Sequence, residues 1–299
     1  AAYKYNVGIN ELVYKPGNSL IEFLDLRVLK GLMRMNLMSS FSGFVRKYFK
    51  HPHLIQLVEF PVLFLGAKPE NTPALYSLMN YADMSLGTWY PKGGMHKVVE
   101  GMVALAEEQG VKFLLNEEVT SIKVFGKKAF EVETKSRTID ADIVVAGADY
   151  HHVEQQLLDK EFRVYDESYW NKRVMAPSSL IFYLGINKKL DGMLHHTLFF
   201  DEDFGLHARE IYDHPKWPTK PLFYTSCPSV TDPTVAPVGK ENLFILIPIA
   251  PGLEDSEEIR EKYFQLVMSR LEALTGQSVK DHVIFKRSYA VNDFMKDYH

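Results

Sequence analysis

The chain has 299 residues, of which 46% are hydrophobic and 24% are charged, and these proportions exclude a disordered or fibrous protein. The 34 basic and 38 acidic residues give a net charge of −4, which excludes the positive field of a nucleic-acid-binding protein. With one cysteine and no apolar run of the roughly 20 residues that span a bilayer, the sequence predicts a cytoplasmic protein, and its length favours two domains.

Residues 1–84 predict short helices, because apolar residues recur there at helical spacing between several prolines. Between residues 26 and 58 there are six basic residues and no acid, interleaved with Leu, Met and Phe. A stretch of this kind can lie on an anionic membrane surface. We therefore name Lys30, Arg34 and Arg46 as candidate membrane-facing residues. The alternative is a solvated basic face over a methionine-rich core.

Residues 85–172 carry the clearest periodicity in the chain. Apolar residues recur at i, i+3, i+4 and i+7 from Met95, as on one face of an amphipathic helix, and Gly110 is well placed to end that helix. The predicted elements are this helix at residues 95–106, buried strands at 112–115 and 143–146, and a hairpin of residues 119–124 and 129–134. Together they predict part of an α/β layer with a β-hairpin insert.

Residues 173–276 change to strand-like runs separated by turns that contain proline or glycine. The predicted strands are residues 180–186, 197–200, 222–225 and 243–249. Asp255 with Glu258 resembles a capping box, which opens a helix that ends at Gly276. The pattern predicts an α+β domain with a mixed or antiparallel sheet and helices. Residues 277–299 contain one more strand-like run and no predicted closing helix.

Common catalytic and cofactor motifs are missing from the sequence. No two of the 18 glycines are two residues apart, so there is no Gly-x-Gly-x-x-Gly fingerprint for a dinucleotide. The histidine pairs at residues 151–152 and 195–196 lack the i, i+4 spacing of a helical metal site, and we predict no metal. We expect Cys227 to be a small buried side chain rather than a nucleophile.

A turn with paired glycines leads directly into the amphipathic helix. It reads Gly87-Thr88-Trp89-Tyr90-Pro91-Lys92-Gly93-Gly94-Met95. Adjacent glycines let a backbone approach a flat ligand closely, and a helix start offers unpaired N–H groups. A tight loop without a ligand is the alternative that this motif alone leaves open.

Four motifs follow one another along the middle of the chain. They are Trp89-Tyr90-Pro91-x-Gly93-Gly94-Met95, Leu105-Ala106-Glu107-Glu108-x-Gly110-Val111, Asn116-x-x-Val119-x-x-Ile122 and Ala141-Asp142-x-Val144-Val145-x-Gly147-Ala148-Asp149. In this order and at these separations they resemble the middle of the bacterial-type phytoene desaturases, within the flavin-dependent amine oxidase-like superfamily. Flanking runs at residues 76–81, 176–180 and 228–233 extend the resemblance over essentially the whole chain.

The resemblance implies an FAD cofactor, a partial Rossmann-like FAD-binding layer and a separate substrate domain. The implied contacts are Pro91, Gly93 and Gly94 beside the flavin, Val119 against the adenine half, Gly147, Ala148 and Asp149 at the strand end that closes the FAD domain, and Trp89, Tyr90 and Met95 in the substrate channel. The implied parts are a helical substrate or membrane-facing part (1–84), a partial FAD-binding domain (85–172), the substrate-domain sheet and helix (173–276) and a return towards the FAD domain (277–299).

Two flavin-contacting segments of the family, one near each terminus, have no match in this sequence. The chain also begins Ala1-Ala2-Tyr3 without a methionine, and we expect it to be an internal part of a longer enzyme. The diphosphate of FAD needs close glycine backbone and the amides of a helix start. We therefore expect weak or no FAD binding, and no activity, from this chain alone.

The reaction that the resemblance implies is desaturation of phytoene or a related carotenoid, in which a hydride passes to FAD and a proton leaves the neighbouring carbon. Asp149 or Asp232 could accept the proton, but a structural role is favoured for each, so we assign no catalytic residue. The implied partners are a polyisoprenoid substrate and a membrane surface that the protein binds peripherally. A carotenoid isomerase, a retinoid saturase and a flavin-free lipid-binding module stay open as alternatives.

Overall fold

The structure is a computed structural model that describes residues 1–19 and 39–299. Residues 20–38, with Lys30, Arg34 and much of the predicted basic stretch, lie outside the described residues. The described part has a mixed α/β fold with antiparallel sheets, which confirms the predicted combination of α/β and α+β elements.

Helices and strands alternate irregularly along the described residues. The α-helices are α1 (Ala2–Val7), α2 (Phe41–Tyr48), α3 (Pro52–Glu59), α4 (Leu78–Tyr81), α5 (His96–Glu108), α6 (Tyr150–His152), α7 (Glu167–Trp170), α8 (Phe204–Tyr212), α9 (Glu257–Thr275) and α10 (Val291–Tyr298). The strands are β1 (Val119–Phe125), β2 (Lys128–Thr134), β3 (Thr138–Asp140), β4 (Ser178–Ile186), β5 (His196–Phe199), β6 (Phe223–Ser226), β7 (Glu241–Ile249) and β8 (Val283–Tyr289). Short 3₁₀ or π turns follow or join several of these helices.

Internal contacts divide the chain into two compact units. The first unit is Ala1–Pro91 with Leu198–Leu222 and Pro248–Ala250, and the second unit is Lys92–Thr197 with Phe223–Ile247 and Pro251–His299. The four-part division expected from the sequence stays a prediction.

Short helices dominate the described part of the first unit, as the sequence predicts. Helix α2 begins at Ser40, whose hydroxyl accepts a backbone N–H three residues further on at 3.1 Å. Helix α3 begins with Pro52, in the first turn, where a backbone N–H has no partner within the helix and its absence therefore costs no hydrogen bond. Phe41, Val45 and Val62 form a buried cluster beside these two helices.

The predicted hairpin is present in the second unit and is extended by a third strand. β1 and β2 pair antiparallel around Gly126, which has φ +62°, and β3 pairs antiparallel with β2. Ile122 of β1 packs with Val153 and Leu157, from the turn that follows α6. The sequence does not reveal β3 because a strand of three residues is too short to display an alternation.

The two buried strands predicted on either side of this hairpin are wrong. Helix α5 forms as predicted, and Gly110 follows its last turn with φ +83°. Residues 112–115 and 143–146 adopt no strand, and the side chains of Leu115 and Val145 are 80% and 88% exposed. A continuously apolar strand is stable only when neighbouring strands pair with it and both faces are covered. Neither segment pairs with a strand within the described ranges.

All four strands predicted after residue 173 form, and they lie in one five-stranded sheet of order β5-β6-β7-β4-β8. β6 pairs antiparallel with β7, and β4 pairs antiparallel with β8. Leu180 and Phe182 of β4 and Ile245 of β7 are almost completely buried. The rings of Phe182 and Phe264 are 5.4 Å apart, so α9 covers this face of the sheet.

Helix α9 begins one residue later than its predicted cap. The hydroxyl of Ser256 accepts the N–H of Ile259 at 3.3 Å. The predicted cap Asp255 is wrong because its carboxylate binds Arg260. The helix ends at Gly276 as predicted, with φ +69°.

A buried ion-pair network joins the start of α9 to α10, the closing helix that the sequence did not predict. Arg260 contacts Asp255 at 2.7 Å and Asp293 of α10 at 2.7 Å. Asp293 also accepts the N–H of Ala290 at 3.0 Å and so caps α10. Burial alone would raise the pKa of Asp255, but hydrogen bonds from Arg260 and from the N–H of Asn292 outweigh burial and lower it.

Replacing Asp255 by Asn should lower the free energy of unfolding by about 3 kcal/mol, because the change leaves the buried Arg260 without its main counter-charge. The folded-state pKa of Asp255 lies below its ordinary value. Its contribution is therefore complete above the ordinary pKa and is lost as the pH falls through the lowered one. Denaturant titrations at neutral and at acid pH measure both effects.

The matched control is Glu118→Gln, which removes an exposed ion pair with Lys135 and should leave stability nearly unchanged. Equal losses of stability in the two variants would contradict the role given to Asp255.

Candidate functional site

The glycine loop, residues 91–95, leads directly into α5. Gly93 and Gly94 have φ of +89° and +102°, a region that L side chains rarely adopt. A Cβ on Gly93 would also lie 3.2 Å from the side chain of Lys97. The two glycines therefore expose backbone that carries no Cβ, and the side chain of Lys97, in the first turn of the 13-residue helix α5, lies against Gly93.

A buried carboxylate holds this loop in place. Oδ2 of Asp232 accepts the N–H of Gly93 at 2.6 Å, and Oδ1 accepts the hydroxyl and the N–H of Thr234 at 2.6 and 3.0 Å. These hydrogen bonds, first that of the Thr234 hydroxyl and then that of the Gly93 N–H, lower the pKa of Asp232. A carboxylate with a lowered pKa and both oxygens engaged is a poor proton acceptor. Asp232 is therefore a positioning residue for Gly93.

Part of this arrangement has a signal in the sequence. Asp followed by Pro and Thr at residues 232–234 is typical of a turn in which the Asp side chain binds a backbone N–H two residues further on. The contact with Gly93 joins residues 139 positions apart, and no local pattern indicates it.

The segment that carries Asp232 is also tied to the residue before β5. Nδ1 of His195 and Oγ1 of Thr231 are 2.6 Å apart, and the N–H of Cys227 donates to the His195 carbonyl at 2.8 Å. Burial lowers the pKa of His195. Burial also raises the pKa of Cys227 to about 11, so Cys227 is a buried thiol, as predicted, and not a nucleophile. Within residues 1–19 and 39–299, no group of three or more His, Cys, Asp or Glu could hold a metal ion.

The residues expected in a substrate channel lie partly at the surface. Trp89 is 88% exposed and donates from Nε1 to the carbonyl of Leu86 at 3.2 Å, and Met95 is 60% exposed. Tyr90 and Pro91 are half-buried. Trp89, Tyr90 and Pro91 belong to the first unit, whereas Met95 belongs to the second. Their assignment to a channel stays a prediction.

Val119, expected at the adenine half of FAD, and Gly147, Ala148 and Asp149, expected at the strand end that closes the FAD domain, all lie in the second unit. Val119 in β1 packs on the buried cluster between that strand and the turn after α6. Asp149 caps α6 by accepting the N–H of His152 at 3.0 Å, and Gly147 and Ala148 before it are exposed. Val119 and Asp149 thus have structural roles of their own, and their contact with a cofactor stays a prediction.

Arg46, the described member of the membrane-facing set, is engaged in an ion pair. Its guanidinium binds the hydroxyl of Ser42 and the carboxylate of Glu59. Burial raises the pKa of Glu59, although the hydrogen bond from Ser42 and the charge of Arg46 oppose this rise. Arg46 therefore compensates a buried acid in the first unit.

In the second unit, the residues at the glycine loop are compatible with the ring of FAD, whereas the sequence offers no fingerprint for its diphosphate. The glycines of the loop expose backbone without a Cβ, which suits close approach of a planar ring. The N–H groups of Lys97 and Val98 at the start of α5 already donate to the carbonyls of Gly94 and Met95. For the diphosphate, the sequence contains no Gly-x-Gly pair anywhere in its 299 residues. The contact of Gly93 and Gly94 with the ring stays a prediction.

Several carotenoid and phytoene desaturases are similar in sequence to nearly the whole chain. A carotenoid 3,4-desaturase of Haloarcula japonica is 39% identical over 98% of this chain and 60% of its own length. A zeta-carotene-forming phytoene desaturase of Myxococcus xanthus is 26% identical over 97% of this chain and 56% of its own length. A phytoene desaturase of Neurospora crassa is 28% identical over 92% of this chain and 49% of its own length. The chain therefore spans about half to three fifths of the length of these relatives.

Solved structures share the fold at low sequence identity. An oxidoreductase of Methanosarcina mazei superposes with a TM-score of 0.59 at 17% identity, over 91% of this chain and 63% of that one. A putrescine oxidase superposes with a TM-score of 0.54 at 10% identity, over 93% of this chain and 61% of that one. The family of flavin-containing amine oxidoreductases matches residues 24–297, which confirms the predicted family and, at the level of that family, the flavin cofactor. The chain belongs to the flavin-containing amine oxidoreductases.

Proposed function

We propose that this chain is part of a flavin-dependent desaturase that acts on phytoene or a related carotenoid. Family membership and the names of the relatives support the reaction class and the substrate class. The structural observation that carries the proposal is the glycine loop, fixed by Asp232 in a conformation that leaves a flat backbone edge. The activity belongs to a longer protein, because the relatives extend well beyond the matched region.

In this mechanism Asp232 and the glycine loop would orient the reactants, and the proton that the neighbouring carbon loses passes to another base. When bound, the flavin accepts the hydride that the substrate loses. Asp232 accepts the N–H of Gly93 and so fixes the backbone of the loop that a ring would contact. Holding a carbon–hydrogen bond in one orientation over that ring, in a site closed to water, supplies much of the rate enhancement.

The direct test uses the full-length protein that contains this chain, loaded with FAD and kept free of oxygen. Addition of phytoene or zeta-carotene should bleach the flavin absorption and yield a product with more conjugated double bonds. Absorption spectroscopy and chromatography measure the two changes.

The alternatives predict different results in the same experiment. A cis–trans isomer formed while the flavin stays oxidised would favour a carotenoid isomerase, and a product with fewer double bonds would favour a retinoid saturase. A protein that takes up polyene but no flavin would be a lipid-binding module. Each of these outcomes would contradict the desaturase proposal.

Replacing Asp232 by Ala in the full-length protein should weaken FAD binding by roughly tenfold and alter the visible flavin spectrum, because it removes a charged hydrogen-bond acceptor from the loop. Asp232→Asn should be milder, since the amide oxygen can still accept the N–H of Gly93. Flavin titration by fluorescence measures the affinity. The control is Asp159→Asn at an exposed position, and an unchanged affinity and spectrum in Asp232→Ala would refute the positioning role.

We also propose that the protein lies in the cytoplasm and binds the membrane surface peripherally through the first unit. Within residues 1–19 and 39–299, no helix is long and apolar enough to cross a bilayer. Tyr48, Leu54 and Leu57 are 69%, 46% and 47% exposed, and Lys47 and Lys50, on and after α2, are exposed as well. Exposed apolar side chains next to lysines suit an anionic lipid surface.

Reversing the charges of Lys47 and Lys50 to Glu should reduce binding to vesicles with anionic lipids by tenfold or more, at roughly 1 kcal/mol for each basic residue near the surface. Arg46 is unsuitable for this test because its loss would leave the buried Glu59 without a counter-charge. Co-sedimentation at two salt concentrations measures the binding. Lys127→Glu with Lys128→Glu, in the β1–β2 turn, changes the same charge elsewhere, and equal effects of the two double variants would argue against a specific surface.

A further inference from the structure

The two faces of the five-stranded sheet differ in what covers them. On one face, Phe182 of β4 and Ile245 of β7 are buried, and Phe182 contacts Phe264 of α9. Side chains alternate between the two faces along a strand. Tyr183, next to Phe182, therefore points to the other face, where it stays 42% exposed.

On this other face each strand contributes one residue to an oblique line across the sheet, in which Tyr224 is a diagonal neighbour of Phe244 because it pairs directly with Leu246. We call this line the aromatic row, and in sheet order it consists of His196, Tyr224, Phe244, Tyr183 and Arg287. Consecutive ring centroids from His196 to Tyr183 are 5.9, 6.2 and 5.4 Å apart. Arg287 lies directly opposite Tyr183 in the pairing of β4 with β8. All five residues belong to the second unit, and five strands at about 4.8 Å spacing make the row at least about 19 Å long.

The middle of the row carries no charge. Burial raises the pKa of Tyr224, so its phenol stays neutral, and its hydroxyl hydrogen-bonds Nδ1 of His196 at 2.5 Å. Phe244 and Tyr183 continue an apolar surface of rings, and the exposed guanidinium of Arg287 ends it. A long, uncharged ligand with π electrons is complementary to such a surface, since aromatic faces and a terminal guanidinium both attract π systems.

One end of the row is joined to the glycine loop. His196 follows His195, whose ring bonds Thr231 at 2.6 Å. Thr231 precedes Asp232, which holds Gly93 at 2.6 Å. A ligand that lies along the row therefore has its His196 end on the side tied to the loop that fits a flavin ring.

We propose that the aromatic row binds the polyene chain of the substrate lengthwise, with the His196 end towards the glycine loop. The inference rests on the proposed desaturase function, which supplies the class of ligand, and it assigns substrate-contacting residues within this chain. Ring pairs across neighbouring strands also stabilise a sheet. The experiment must therefore separate ligand binding from sheet stability.

The test uses the full-length, flavin-loaded protein and zeta-carotene, whose visible absorption bands report transfer of the chain into an aromatic environment. Tyr183→Leu keeps apolar bulk but removes the ring, and Tyr183→Phe restores the ring. Phe130→Leu is the matched control, because Phe130 is 44% exposed on β2 of the other sheet. We expect Tyr183→Leu to raise the Kd for zeta-carotene and the KM by roughly five- to tenfold, with kcat, melting temperature and flavin spectrum unchanged. Tyr183→Phe and Phe130→Leu should behave as the wild type.

The outcomes distinguish this inference from the proposed function. A wild-type Kd in both Tyr183→Leu and Phe244→Leu overturns the inference, whether or not the protein desaturates its substrate. Polyene binding without turnover in the wild type, lost in Tyr183→Leu, overturns the proposed function and supports the row. A changed oligomeric state in Tyr183→Leu, with polyene binding intact, overturns the inference and makes this face an interface between copies. If Tyr183→Leu does not fold, Arg287→Gln at the edge strand takes its place, and an unchanged Kd there counts against the row.

Discussion

The alternation of side chains in the neighbouring strands β7 and β4 sets the layout of the five-stranded sheet. In β7, Leu243, Ile245 and Ile247 are buried, and the residues between them are only partly buried. A shift of the register by one residue would turn all of these side chains to the wrong face. The register that packs the isoleucines inside the protein therefore also delivers Phe244 and Tyr183 to the opposite face. The packing of the core therefore already fixes the positions of the side chains on that face, and a ligand that binds there does not have to order them.

The same strand supports the connection that carries Asp232. The side chain of Asn242, at the start of β7, accepts the N–H of Ser229 at 3.2 Å and donates to the carbonyl of Val235 at 3.1 Å. The neighbouring carboxylate of Glu241 is buried and binds the Ser229 hydroxyl. These contacts fix the residues on both sides of Asp232 and so hold its carboxylate in position to bind Gly93. The conformation of the glycine loop thus depends on contacts between residues far apart in the sequence. Its glycines make the positive φ angles possible but do not by themselves select them.

The elements that sequence predicts well are those whose signal is local. The hairpin around Gly126, helix α5 and the alternating strands β4 and β7 follow from periodicity and turn residues. The prediction of strands at residues 112–115 and 143–146 rests on apolar content alone. Apolar content does not show whether a neighbouring strand is present to pair with them. The cap of α9 fails for the same reason, since the side chain of Asp255 is taken by Arg260. At the site, the sequence finds the glycines, whereas the contact of Asp232 depends on the fold.

A hydrocarbon substrate imposes a particular requirement on such a site. Burial of a CH₂ group from water contributes about 0.8 kcal/mol, but a polyisoprenoid dissolved in a bilayer has already left water. Transfer to an apolar protein surface therefore gains little from the hydrophobic effect, and selectivity must come from shape and from contacts that lipid tails cannot offer. Rigid rings in a line are contacts of this kind, because a conjugated chain can lie flat on them and a saturated tail gains less. A sheet suits this purpose better than a loop, since its strand spacing is set by backbone hydrogen bonds.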